Sequence, residues 1–67
     1  MEYTMAVYYN GCMGTLRYIM DCLSLTKYSI VSNNSRIIYL YLPNEDDIWP
    51  IYEMLIDHND INKIGML

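Results

Sequence analysis

The chain has 67 residues, 54% of them apolar, and a formal net charge of −4. This length allows one domain at most, residues 1–67, with a core that contributes only about 3–5 kcal/mol. The apolar content favours a folded domain over a disordered tail. The negative charge disfavours direct binding to nucleic acid, because phosphate backbones require clustered Lys and Arg side chains.

The first third of the chain predicts a strand, a turn and a helix. Residues 2–9, EYTMAVYY, predict a strand with Met5 and Val7 on one face and Tyr8 on the other. The following NGCMG interrupts the strand, because Asn and Gly tolerate unusual backbone angles. Residues 15–25 predict a helix, since apolar side chains recur there every three or four positions.

A hairpin is predicted next. Residues 27–32 and 36–42 predict two strands, and the intervening SNNS predicts a tight turn, because consecutive Asn residues tolerate positive φ. In the second of these strands Tyr39 and Tyr41 alternate with Ile and Leu side chains, so the tyrosines are expected on one face. Pro43 ends this strand.

A second helix is predicted in the acidic segment, residues 44–60, NEDDIWPIYEMLIDHND. Its Ile, Leu and Tyr side chains recur at helical spacing and form an apolar stripe. Asp46 or Asp47 is expected to cap the first amides, and Pro50 is expected in the first turn, where its missing N–H costs nothing. Asn59 is expected to end the helix.

The predicted order of elements is β-α-β-β-α-β, which is the ferredoxin-like arrangement. In this α+β fold two helices pack on one face of a four-stranded antiparallel sheet. The last strand is predicted in residues 61–67, INKIGML, although Gly65 weakens it. Without it, a three-stranded sheet with the same two helices remains.

The sequence indicates no catalytic site, metal site or cofactor. His58 follows the predicted second helix, where an imidazolium interacts favourably with the helix C-terminus. Cys12 and Cys22 have neither redox-motif nor zinc-ligand spacing, and on one helix they cannot form a disulfide, so they indicate a reducing, cytoplasmic compartment. Charged residues interrupt residues 4–25, which disfavours a membrane span. We therefore expect a non-enzymatic protein.

Six of the eight acidic residues lie in the acidic segment. If that segment is one helix, Asp46, Glu53, Asp57 and Asp60 share a face opposite the apolar stripe. One interpretation is solubility of an apolar domain. The other is docking on a larger protein with a basic surface, such as a nucleic-acid-binding protein, which the chain would inhibit by occlusion. Small acidic inhibitors of this kind are frequent in phages and mobile elements.

Tyr8, Tyr39 and Tyr41 are expected together on the open face of the sheet, away from the helices. Aromatic side chains there resemble the base-stacking platform of RNA-recognition-motif domains, which implies RNA binding. Tyrosines are also enriched at protein interfaces, and the negative charge favours that interpretation, with a larger protein or a second copy as the partner.

A further resemblance is carried by NGCMGTLRYIMDCL, residues 10–23. This stretch resembles the first turn and helix of ACT domains, small ligand-sensing modules with the same strand order, and Gly14 lies near the place of their ligand-loop glycine. The resemblance implies sensing of a small metabolite. The sequence thus favours a protein-binding inhibitor, with ligand sensing and RNA binding as the alternatives.

Overall fold

A computed structural model describes residues 2–67 of the chain. Its elements in chain order are β1 (Met5–Tyr9), α1 (Met13–Cys22), β2 (Ser29–Asn33), β3 (Ile37–Tyr41), a short 3-10 helix (Glu45–Asp47), α2 (Ile48–Ile56) and β4 (Ile61–Met66). The strands form one antiparallel sheet in the order β2-β3-β1-β4. The predicted ferredoxin-like β-α-β-β-α-β arrangement, including its last strand, is confirmed.

The core lies between the two helices and one face of the sheet. Met5 and Val7 of β1 and Leu40 of β3 are fully buried, and they pack against Ile19 of α1 and Leu55 of α2. Each such side chain contributes about 1.5–3 kcal/mol when it is removed from water. The period-two alternation of the central strands therefore decides which face the helices cover.

The final strand pairs with β1 despite its glycine. Val7 lies opposite Ile64, and Ala6 lies opposite Gly65. The N–H of Leu67 donates a hydrogen bond of 3.1 Å to the carbonyl oxygen of Thr4 and so extends this edge of the sheet. The loss of one side chain at the glycine is offset by these ladder hydrogen bonds.

Helix α1 is displaced from its predicted range, residues 15–25, because it begins at Met13 and ends at Cys22. Leu23 caps it, and the N–H of Thr26 donates a hydrogen bond of 3.0 Å to the carbonyl oxygen of Leu23. This turn takes Leu25 out of the helix, where its side chain is 99% exposed.

The acidic segment is not one helix. The side chain of Asn44 accepts a hydrogen bond of 3.0 Å from the Asp46 N–H, so the first amides are capped by Asn44. Asp47 makes no side-chain cap bond at the start of α2, and the prediction of a cap at Asp46 or Asp47 is wrong. Pro50 lies in the first turn of α2, as predicted. Within residues 2–67 no helix is long and apolar enough to cross a membrane.

Candidate interaction surfaces

The open side of the sheet carries a group of aromatic side chains that we call the tyrosine face, consisting of Tyr3, Tyr8, Tyr39 and Tyr41. Tyr8 pairs with Ile37, and Tyr39 pairs with Ala6. These positions alternate with the buried ones, so they lie on the face away from the helices. The structure thus places the three tyrosines predicted for this side there, while their role in binding stays a prediction.

Neighbouring side chains hold the tyrosine face in place. The rings of Tyr3 and Tyr39 are in edge contact, with centroids 4.9 Å apart. The Nζ atom of Lys63 lies 4.9 Å from the centroid of the Tyr8 ring, in a cation–π contact. Tyr41 is 46% exposed at the side of the face near β2, where it lines a cavity of about 250 Å³. The face is therefore aromatic and largely pre-formed, which lowers the entropy lost on binding.

The four carboxylates predicted to form one row lie in different elements. Asp46 is in the 3-10 helix, Glu53 is in α2, Asp57 caps the end of α2, and Asp60 lies in the turn before β4. All four are exposed. The prediction of a common helical face is therefore wrong, because α2 ends at Ile56. These four carboxylates are therefore spread over the 3-10 helix, α2 and the turn that follows it.

Tertiary contacts explain why α2 stops before Asn59. The N–H of Asp60 donates a hydrogen bond of 3.1 Å to Nδ1 of His58, and the Asp60 carboxylate accepts one of 3.4 Å from the Thr15 hydroxyl. The Asp60 carbonyl oxygen accepts another, of 3.1 Å, from the N–H of Asn10. These bonds hold residues 58–60 in the turn between α2 and β4, against the start of α1.

Tyr18 of α1 contacts both α2 and the turn that follows it. The two rings lie 4.4 Å apart at a tilt of 40°, and the Tyr18 hydroxyl donates a hydrogen bond of 2.7 Å to the Met54 carbonyl oxygen. Burial raises the pKa of Tyr18, and the Cys22 thiol and the charge of Asp57 add to the increase. Nδ1 of His58 accepts the hydrogen bond from the Asp60 N–H, so this ring nitrogen is engaged in the turn after α2.

The sequence did not reveal a groove between the turn after α1 and the start of α2. Two adjoining cavities of about 510 and 240 Å³ share Leu25 and Asp47 as lining residues. The only sequence signal for it is an apolar residue, Leu25, at the end of a helical pattern. Within residues 2–67 no three His, Cys, Asp or Glu side chains are placed to hold a metal ion.

In the turn that resembles the ACT ligand loop, Gly11 packs against the protein itself. Gly11 has a φ of +82°, and a Cβ atom built on it would lie 2.7 Å from the Ser35 carbonyl oxygen. The N–H of Cys12 is already bonded to the Asn10 side chain at 3.0 Å. Gly11 is thus explained by packing against the β2–β3 loop. Gly14, the glycine that carries the ACT resemblance, has nothing within 4 Å of an added Cβ atom, so ligand sensing at this turn stays a prediction.

Comparisons of the chain with protein-family models, with curated proteins and with solved structures find no match. Its function is therefore inferred from two surfaces on opposite sides of the molecule. One is the tyrosine face, and the other is the helix side with its groove and its dispersed carboxylates.

Proposed function

We propose that the chain is a non-enzymatic interaction module that binds a larger protein through the tyrosine face and inhibits it by occlusion. The observation that carries this proposal is the asymmetry of the sheet, whose one face is covered by both helices while the other carries the tyrosines. Tyrosine supplies a large contact area at a low cost in side-chain entropy, and it is enriched at protein interfaces.

The partner is a protein with a basic surface. At long range the chain acts through its net charge of −4, which steers it toward positive charge whichever side faces the partner. Proteins that bind nucleic acid have such surfaces. A chain that covers the basic surface of such a protein would inhibit that protein without catalysing a reaction. The two free thiols, Cys12 and Cys22, suit a cytoplasmic setting for this encounter.

The size of the molecule limits the area of the contact. The molecule measures 27 × 23 × 18 Å, so a flat contact over its broadest side covers roughly 600 Å² per partner, at the low end for a specific interface. An interface of this size depends on a few anchor side chains, and the tyrosines are the candidates. The alternative is that a second copy of the chain binds the tyrosine face. Sedimentation at micromolar concentration would then show a dimer.

RNA binding is the second candidate function, and one observation favours it. Tyr8 on β1 and Tyr39 on β3 lie on adjacent central strands of a β-α-β-β-α-β sheet, where RNA-recognition-motif domains carry stacking aromatics. The net charge opposes it, because single-stranded RNA binding also needs a positive groove. Titration with fluorescent single-stranded RNA at low salt separates the two proposals, since only an RNA platform binds under those conditions.

The test of the main proposal is affinity capture with the full chain as bait. Tyr41→Ser removes an aromatic ring from the tyrosine face, and Tyr28→Ser is its matched control. Tyr28 is 37% exposed, against 46% for Tyr41, and its hydroxyl contacts the Met20 sulfur on the helix side. A partner protein from host extract should be retained by wild type and by Tyr28→Ser, bind at least tenfold more weakly to Tyr41→Ser, and lose its activity on binding. Equal affinity of all three baits would exclude the tyrosine face.

A further inference from the structure

The groove on the helix side has an inner and an outer part. The inner cavity, of about 240 Å³, is lined mostly by apolar groups, including Cys22, Ile51 and Met54. The outer cavity, of about 510 Å³, opens toward Lys27 and Asn44. The inner cavity is smaller than those that hold drug-sized ligands, about 300–1,000 Å³, so its size suits one large side chain better than a small molecule.

Apolar side chains at the groove are exposed well beyond what the fold requires. Leu25 lines both cavities and is 99% exposed, and Met54 of the inner cavity is 42% exposed. A single exposed leucine is ordinary, but here it borders a cavity with an apolar floor. The two side chains thus offer apolar contact area to a partner at the inner cavity.

The charge around the groove is mainly negative. Asp21 lines the inner cavity and Asp47 lines both, while Glu45 and Asp46 are exposed in the adjoining 3-10 helix. Lys27, at the outer end, is the one cation among the lining residues. An apolar cavity with a carboxylate rim is complementary to an apolar side chain flanked by Lys or Arg.

The lining residues also indicate the secondary structure of the segment that would bind in the groove. All of them belong to α1, α2, the 3-10 helix or the loops, and none belongs to a strand. The groove therefore offers no strand edge to which an extended peptide could add. An amphipathic helix suits this lining, because it carries apolar side chains on one side and charged ones next to them, as the apolar cavity and its carboxylates require.

We propose that this groove binds a basic amphipathic helix of a partner protein, with one apolar side chain in the inner cavity and Lys or Arg side chains against Asp21 and Asp47. This goes beyond the proposed function, because the groove lies on the side opposite the tyrosine face. One chain can therefore contact two segments of a partner, or two partners, at the same time.

The test uses the full chain and a synthetic helix-forming peptide of about 14 residues, with leucines at helical spacing and lysines elsewhere. The double change Asp21→Asn, Asp47→Asn removes two rim charges. The matched control Glu53→Gln, Asp57→Asn removes two charges outside the groove. Calorimetry should show at least about fivefold weaker binding for the rim variant and less than twofold for the control. An equal loss of peptide affinity in the rim variant and in the control variant would show that the peptide responds only to net charge, and it would overturn the proposal.

A second variant tests the apolar contact. Leu25→Ser changes a fully exposed side chain and should leave the melting temperature unchanged, yet it should weaken peptide binding several-fold. Tyr41→Ser should not change the binding of the peptide. The groove proposal can therefore fail independently of the proposal for the tyrosine face. No effect of Leu25→Ser, or no binding of the peptide to wild type, would overturn the proposal.

Discussion

The phenolic hydroxyl of Tyr18 on α1 donates a hydrogen bond of 2.7 Å to the carbonyl oxygen of Met54 on α2. The same ring packs on His58, at a centroid distance of 4.4 Å. One side chain thus joins the two helices and also covers the turn that follows α2. This link connects α1 to α2 within the helix layer, beside the buried side chains that pack both helices on the sheet.

We predict that Tyr18→Phe destabilises the fold by about 1 kcal/mol, because the ring contact stays and only the hydrogen bond is lost. Burial raises the pKa of Tyr18, so the folded chain holds the phenol proton more tightly than the unfolded chain. This contribution is fully present below about pH 10 and is lost as the pH rises through the raised folded pKa. Urea unfolding from pH 8 to 11 should therefore show the gap between wild type and variant narrowing. A constant gap would contradict the assignment.

The two glycines near the start of α1 should respond in opposite ways to alanine. Gly11 has a φ of +82°, and a Cβ atom there would lie 2.7 Å from the Ser35 carbonyl oxygen, so Gly11→Ala should cost at least about 1–2 kcal/mol. Gly14 lies in α1 with nothing within 4 Å of an added Cβ, so Gly14→Ala should stabilise by up to about 1 kcal/mol. Thermal unfolding of both variants checks this, and a loss of stability in both would refute it.

The cap of the acidic segment gives a second matched pair. Asn44→Ala removes the side chain that accepts the Asp46 N–H at 3.0 Å, and it should cost about 1 kcal/mol. Asp47→Ala removes a side chain without a cap bond, and it should change the stability by less than about 0.5 kcal/mol. The two variants are compared by urea unfolding at neutral pH. A larger loss of stability in Asp47→Ala than in Asn44→Ala would instead support a cap at Asp47, as the sequence alone predicted.

The strand faces were predictable from the sequence because only one register buries the Ile and Leu side chains of β3 and the Met and Val side chains of β1. That register also places Tyr8 and Tyr39 on the open side. The final strand was predictable for a related reason, since Ile61 and Ile64 supply apolar side chains that pack with the core.

The end of α2 was not predictable, because Asp57, His58 and Asn59 are as compatible with an exposed helical turn as with a loop. The turn after the helix combines a local hydrogen bond, from the Asp60 N–H to His58, with non-local ones that Asp60 makes with Thr15 and Asn10. The groove was not predictable for the same reason, because it depends on how the turn after α1 lies against α2. Local patterns carry no information on such contacts between distant segments.

The dispersed carboxylates should affect the rate of association more than the affinity. The triple change Glu53→Gln, Asp57→Asn, Asp60→Asn removes three of the eight acidic charges without removing an apolar contact. It should slow association with the basic partner about tenfold at low salt, and the difference should disappear at high salt. Stopped-flow rates over a salt series test this. Equal rates at every salt concentration would limit these residues to a role in solubility.

The tyrosine rings themselves provide the most direct measurement of where the partner binds. Of the eight tyrosines, Tyr3, Tyr8, Tyr39 and Tyr41 form the tyrosine face, and the others are Tyr9, Tyr18, Tyr28 and Tyr52. Carbon-13 labelling of the tyrosine rings allows all of them to be followed by NMR as the captured partner is added. We predict that the resonances of the four face tyrosines shift and that those of the other four stay in place. Shifts confined to Tyr18, Tyr28 and Tyr52 would place the partner on the helix side and contradict the proposed binding surface.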